Sequence, residues 1–383
     1  MEASSFVEQV EEMTDLELAV LLSLIAQHHC MIQVDDDLVD DLASELALIV
    51  RDVFNLSYII LERADVQDVD HFGEAILADD DGSGDLMDDM EDDGTGSQAR
   101  LSTPFPFPLS LHLLFRGGPP SSHIEESQFD SRKVVNVIIA KHFNFAHEDV
   151  QIQTLELIRK RRIYSRTTVH LAPKLFLVLP IISTSSKGIR LNKHLNDRIF
   201  MSHFHEAEDG FPNLEEMEAT TTTTTRPSQD NDNNSETSAS VSQSPSVQVV
   251  SNPRRIGAEL IEQLRAQGKA ATVTPEIRRY LQDIVVFLRM ARGVDGGVTP
   301  YATTLFLALA KYLAPFHGID YVTPALVALA AKKIYPHRIV IASPSRERST
   351  LYGTDVATAG DLLRDLDPHK VIQEVLDTVD CPA

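Results

Sequence analysis

Four short apolar runs constrain this chain more than anything else in it: CMIQ from Cys30, SYIILE from Ser57, KVVNVIIAK from Lys133 and LFLVLPII from Leu175. Each has the length of a strand, and none alternates apolar with polar as a half-buried strand would. Continuous apolarity means that both faces are covered. Amphipathic segments supply the cover: DLELAVLLSLIAQ precedes the first run, DDLASELALIVRDVF follows it, and VQIQTLELIRKRR lies between the last two. The pattern predicts an α/β fold, a parallel sheet flanked by helices.

Two stretches cannot join that core. Asp79–Asp93, DDDGSGDLMDDMEDD, has nine acidic residues and no basic one, so it repels itself and has little apolar surface to bury. PFPFPLSLHLLFRGGPP follows, where alternating prolines forbid helix. The second stretch runs from about Ala207 and holds Thr220–Thr225 and RPSQDNDNNSETSASVSQSPS. Both are expected to be disordered. The organisation is then a first part of the core over 1–78, an acidic and Pro/Gly-rich insertion over 79–130, and a second part of the core over 131–206. A Thr/Ser/Asn-rich linker over 207–253, a helical domain over 254–345 and a helical tail over 346–383 complete it.

The helical domain has clear start signals. Thr-Pro occurs at 274–275, 299–300 and 323–324, each time before an apolar periodic run. Threonine caps a free amide and proline at the first helical position removes another. The runs EIRRYLQDIVVFLRMAR, YATTLFLALAKYLA and ALVALAAKKIY then form a small bundle.

The formal net charge of -23 argues against broad contact with a nucleic-acid backbone or an anionic membrane. No apolar stretch is long enough for a transmembrane helix. MEASSFVEQVEEM lacks the basic and apolar regions of a signal peptide, and Cys30 and Cys381 are too few for a disulfide framework. An intracellular protein, cytoplasmic or nuclear, is expected.

The second core block brings a resemblance. VQIQTLELIRKRRIYSRTTVHLAPKLFLVLPIIS resembles the MoxR and magnesium-chelatase branch of the AAA+ proteins, where VQ..LLEAM.ER is followed by a hairpin and then P.PFLV.AT.NP. LNKHLNDRIF is similar to that branch's L...LLDRF. GVTPYATTLFLALAKYLAPFHGIDYVTPALVALAAKKIYPHRI is similar to its lid, G.SPRA...L...AKA.A...GRDYVTP.DV......VL.HRI. The arrangement also looks like the magnesium-chelatase-like proteins of filamentous fungi. The resemblance implies a P-loop-like AAA+ core with a helical lid.

It also implies an ATP site, and that site is changed at each charged position of its chemistry but one. The phosphate loop, G..G.GK[ST] in the family, falls on VDDDLVDD: Val34, Asp37 and Val39 take glycine positions, and Asp40 and Asp41 those of Lys and Ser/Thr. Glycines let backbone amides cradle phosphate and the lysine reaches the terminal phosphates. Carboxylates there repel a triphosphate, by about 4 kcal/mol per pair at ~4 Å and an effective dielectric near 20. The family's Asp-Glu, which holds magnesium, falls on Lys141 and His142, and neither side chain suits that hard cation. The sensor asparagine falls on Ser183 and the lid arginine on Tyr301. Arg198 matches the arginine of the family's LDRF; it could face a neighbour's nucleotide in a ring, and a salt bridge within the core is its more expected role.

Other clusters carry less. His28-His29-Cys30 alternates across a strand, so one face cannot gather all three. His203-Phe204-His205-Glu206 puts two histidines on one face but offers no evident third and fourth zinc ligand. Arg159–Arg162 ends a helix, where cations offset the dipole. No catalytic residue, metal or cofactor is expected. The chain reads as a catalytically degenerate AAA+ protein whose partners are proteins, other AAA+ subunits among them, and neither nucleic acid nor membrane. The alternative is a magnesium-chelatase-like subunit lending Arg198 to a neighbour's ATP site in a mixed ring.

Overall fold

The computed structural model describes residues 10, 12–78, 132–164, 168–184, 191–217 and 255–382. The insertion at 79–130, and the linker from 218 to 253, lie outside these residues. Helix α1 (Asp15–Ala26) opens with a reciprocal cap between Thr14 and Glu17. Strand β1 (Cys30–Val34), a 3-10 turn over Asp36–Leu38 and helix α2 (Val39–Leu48) follow, and α2 runs on as a π-helical turn over Ile49–Val53. Next come β2 (Tyr58–Leu61), α3 (Val69–Ala75), β3 (Leu77–Ala78), β4 (Lys133–Val134) and β5 (Val137–Ala140). Helix α4 (Glu148–Lys160) leads into a hairpin, β6 (Arg162–Tyr164) and β7 (Val169–Leu171). Strand β8 (Leu177–Ser183), α5 (Lys193–Arg198) and β9 (Met201–Phe204) complete the core.

The central sheet has the order β2-β5-β8-β1-β9, and every pairing is parallel. Side chains alternate between its faces, as the period of two demands. Cys30, Ile32 and Val34 join one hydrophobic cluster with Val137, Ile139, Leu179 and Ile181, whereas Met31, Ile138 and Val178 join the other. Both faces are covered, which is why the apolar runs are continuous.

KVVNVIIAK is not a single strand. Asn136 breaks it: its Nδ2 donates to Leu175 O at 2.8 Å, and its Oδ1 accepts from Ser57 Oγ at 2.8 Å. Val134 pairs instead with Leu77 in a separate two-stranded ribbon.

The helical region contains α6 (Ala258–Ala270), α7 (Pro275–Met290), β10 (Val294–Gly296), α8 (Pro300–Leu313), α9 (Pro324–Ile334), β11 (Val340–Ile341), α10 (Val356–Leu363) and α11 (Pro368–Thr378). Thr274, Thr299 and Thr323 cap as expected, accepting from the amides of Ile277, Ala302 and Leu326, with proline at the start of each helix. This bundle shares the hydrophobic cluster of α1, β1 and α2. Arg265 of α6 fixes the join by donating to the last carbonyls of α1, Leu24 O at 2.9 Å and Ile25 O at 2.8 Å.

A second join is made by Arg338. Buried to 3% exposure, it donates to Phe200 O and Asp197 O, each at 3.2 Å, and to Ile199 O and Ile334 O. Gly297 makes room for it: at φ +102 its backbone lies where a Cβ would stand 1.9 Å from Arg338 O. The glycine that opens the lid motif is thus required by both conformation and close approach.

Part of the expected linker is ordered. A 3-10 turn spans Ala207–Asp209 and residues 212–217 are helical. Glu45 of α2, buried, holds this strap: its carboxylate accepts from Asn213 N at 3.2 Å, Asn213 Nδ2 at 2.7 Å and Leu214 N at 2.8 Å. A carboxylate at free helix-terminal amides is a stable pairing that composition alone does not reveal.

Candidate functional site

The carboxyl ends of the parallel strands are where ligands bind in open α/β sheets, and the positions matched to the phosphate loop, to the magnesium acids and to the sensor asparagine lie there. Val34 ends β1 beside Ser183, which ends β8. Asp37 lies in the 3-10 turn after β1, and Asp40 and Asp41 in the first turn of α2. Lys141 and His142 follow β5 directly. Tyr301, in the first turn of α8, and Arg198, the last residue of α5, are not brought to that end: α5 runs into the start of β9, which pairs in parallel with the start of β1, so the two lie at the amino end of the sheet near His28.

Lys141 organises this end of the sheet. Its Nζ lies 2.8 Å from Asp40 Oδ1 and 2.6 Å from Glu62 Oε1, with its side chain only 12% exposed. The ammonium beside Asp40 holds that carboxyl below its usual range, by hydrogen bonding first and by charge second. Asp40 stands at the position that the resemblance gives to the phosphate-binding lysine, and Lys141 at that of a magnesium-binding acid. The charges of the pair are therefore exchanged with respect to that site, and they satisfy each other.

The turn is also closed on itself. Leu38 N donates to Asp35 O at 3.1 Å, and Thr184 N to Val34 O at 3.0 Å. Thr184 Oγ1 donates to Asp35 Oδ1 at 2.5 Å. Val34 and Val39 are buried, so side chains fill the places where glycines leave backbone open. His142 takes a left-handed conformation at φ 48, with Nδ1 3.8 Å from Asp36 Oδ1. Ser183 is buried, and its Oγ has no hydrogen-bond partner among the described residues. A triphosphate laid over this turn meets Asp36, Asp37, Asp40 and Asp41, while Lys141 is engaged by two carboxylates.

Arg198 makes no ion pair among the described residues, which corrects the expected salt bridge within the core. Its guanidinium lies over the Tyr301 ring, 4.3 Å from the centroid. It is Arg338 that approaches the neighbouring Asp197, Nε to Oδ1 at 3.8 Å. Thr299 Oγ1 donates to the same Asp197 Oδ1 at 2.6 Å, so the start of α8 is tied to the core beside Arg198. Sequence reasoning missed Glu62, Thr184 and Asp35 as partners, because the contacts come from ends of different strands.

The histidines of the 28–29 and 203–205 clusters lie elsewhere. His29 Nδ1 accepts from Val178 N at 3.0 Å, and His28 packs on Phe200. His203 of β9 and His205, just past its end, have ring centroids 6.5 Å apart, with Lys333 Nζ 3.1 Å from His203 Nδ1. Among the described residues no three His, Cys, Asp or Glu side chains converge as a metal site. Arg159–Arg162 ends α4 and enters β6, with Lys160 paired to Glu156.

Comparison with known proteins places this geometry. Residues 287–358 match the AAA lid domain. The crystal structure of a candidate ATPase from Cytophaga hutchinsonii superposes with a TM-score of 0.57 at 14% identity, covering 100% of this chain and 97% of that one. The chain has the AAA+ fold with an AAA lid. Sequence relatives are proteins named maintenance of telomere capping protein 2. That of Eremothecium gossypii is 37% identical over 108 residues, 26% of this chain and 39% of the relative. That of Lachancea thermotolerans is 33% identical over 102 residues, 25% of this chain and 36% of the relative. The chain thus matches well under half the length of these relatives. Within the AAA+ frame, no helix among the described residues is long and apolar enough to cross a membrane.

Proposed function

We propose that this chain is a catalytically degenerate AAA+ protein of the MoxR/magnesium-chelatase branch, acting as a scaffold or regulator that binds other proteins. The observation that carries the reading is the exchanged pair Asp40–Lys141, closed further by Glu62. Hydrolysis needs a cation at the phosphates and a carboxylate at the metal, and here each place holds the opposite charge. The residues of this turn do not fit magnesium and ATP, and no cofactor is assigned to them. The continuous hydrophobic cluster between core and lid supports the reading, because it ties together parts that a nucleotide cycle would move. The relatives are named for a maintenance role rather than a reaction, which agrees with an intracellular, nuclear interaction protein. The test is nucleotide titration of the full chain with ATP and Mg²⁺, for which no saturable binding is expected.

One observation favours a second reading. Arg198 is stacked on Tyr301 without a carboxylate partner, so its charge is available to a neighbouring subunit. In a mixed ring with active AAA+ subunits, Arg198→Ala is then expected to lower the ATPase rate of the co-purified complex at least tenfold. Under the scaffold reading the same variant leaves that rate unchanged.

A further inference from the structure

The hairpin after α4 leaves one of its faces without a partner. Its register sets Arg162 opposite Leu171, Ile163 opposite His170 and Tyr164 opposite Val169. The period of two therefore puts Arg162, Tyr164, Val169 and Leu171 on one side. On the other side Ile163 joins the hydrophobic cluster and His170 is buried. The outer side chains are exposed, Tyr164 48%, Val169 51% and Leu171 70%, and the Arg162 guanidinium lies over the Tyr164 ring at 5.4 Å from its centroid. Three apolar side chains gathered on one face of a two-stranded ribbon mark an interaction surface rather than scattered exposure.

The face is basic, and it stands where an acidic segment leaves the described structure. Arg162 and Arg159 are exposed and make no ion pair among the described residues. The carboxylate near both is Glu156, held below its usual range first by its hydrogen bond to Lys160, which lies at 2.7 Å, and also by the charges of Arg159 and Arg162. The dipole of α4 accounts for Arg159 and Lys160 in its last turn, but not for Arg162, which lies in β6. Ala78, the last residue of β3, pairs with Lys133 of β4, and β4 lies beside β7. His170 Nδ1 of β7 donates to Arg132 O at 2.8 Å. Residues 79–131 thus leave and rejoin the described structure at this hairpin. They begin with Asp79–Asp93, which holds nine acidic residues, no basic one, and the apolar Leu86, Met87 and Met90.

We infer that the outer face of the β6–β7 hairpin docks the chain's own acidic run, Asp79–Asp93. Its carboxylates lie beside Arg159 and Arg162, and Leu86, Met87 and Met90 lie against Tyr164, Val169 and Leu171. The tether is short, so the run is present at an effective concentration on the order of millimolar, and a contact with a dissociation constant of about 100 μM in trans is largely filled in cis. A separate acidic partner of this face must displace the run. The docking does not depend on whether the turn after β1 takes a nucleotide.

The chain has no tryptophan, so Tyr164→Trp places a single reporter on the face. In the full chain carrying it, removal of Asp79–Asp93 is expected to raise the acrylamide quenching constant at least twofold, and so is Arg159→Glu with Arg162→Glu. A peptide of the sequence Asp79–Asp93, added to the deletion variant, is expected to restore the protection, whereas the same peptide with lysine at its nine acidic positions is not. An unchanged melting curve verifies folding, and the peptide added in trans leaves the chain itself unaltered. Quenching that is indifferent to the deletion, or equal rescue by the two peptides, overturns the proposal. So does protection that appears only as protein concentration rises, because the run would then come from a second copy. A single-stranded oligonucleotide that protects the full chain as well as the deletion variant overturns it too, because the face would then be open to nucleic acid.

Discussion

Lowering the pH from 7.5 to 5.5 is expected to remove about 4 kcal/mol of stability, with the loss centred on the join between core and lid. The buried His29 and His203 and the half-buried His28 carry it. Burial pushes His28 down to about 4 and His29 and His203 down to about 3, from an ordinary 6.5. His337 is shifted in the same direction by burial and by Arg338. The geometry requires neutral rings: His29 Nδ1 must accept from Val178 N, and His203 Nδ1 faces the Lys333 ammonium. His28 lies in the field of Arg338 and Arg198, while Asp209 only partly offsets Lys333 at His203. The folded-state values lie below the unfolded one, so the unfolded chain binds more protons between them. Stability is therefore fully present above pH 6.5 and falls toward the folded-state values by about 1.4 kcal/mol per pH unit for each ring. Set against the 5–15 kcal/mol typical of a folded domain, about 4 is a large fraction. Urea unfolding at the two pH values measures it, and equal midpoints would contradict the argument.

Arg338→Leu is expected to cost about 3–5 kcal/mol, the range for removing one partner of a buried charge pair. The mechanism is specific. Ile199, Phe200, Ile334 and Asp197 each lose a donor to a carbonyl, and an unsatisfied buried carbonyl costs about 1–3 kcal/mol. Burial itself draws Arg338 down to about 10, and nearby Asp197 counters that fall, so the charge persists at neutral pH. Gly297→Ala damages the same join from the other side, because its Cβ meets Arg338 O and its φ of +102 disfavours any side chain. Both variants should expose the lid to protease while leaving the far face of the sheet, around Phe72 and Leu157, protected. Uniform loss of protection, or a melting temperature within 1 °C of the parent, would contradict this assignment. A shift of several degrees is the expected scale.

Much of the fold was legible because the physics was local. Strands buried on both faces read as continuous apolar runs, and Thr-Pro marked three helix starts that the structure places as expected. The misses came from tertiary partners. MSHF was not counted among the strands of the sheet, although His203–His205 read as extended; it forms β9, paired with β1 across the chain, with His203 beside Lys333. Residues 207–217 read as linker because EAEDG looks solvated, whereas Glu45, far along the chain, satisfies the amides of Asn213 and Leu214. Asn136 breaks an apolar run through contacts to Ser57 and Leu175 that no window of sequence contains. At the candidate site, the positions followed from resemblance, whereas the pairing of Asp40 with Lys141 needed the end of β5 to be brought beside α2.

That pairing is the centre of the functional account, and calorimetric titration of the full chain with ATP and Mg²⁺ tests it most directly. A variant lacking Asp79–Asp93 serves as the control for cation uptake by that acidic run. The account predicts no saturable heat from nucleotide up to millimolar concentration in either protein. Saturable binding in both would mean that the turn after β1 accepts a triphosphate despite its aspartates, and the reading of this chain as a protein without ATP chemistry would be wrong.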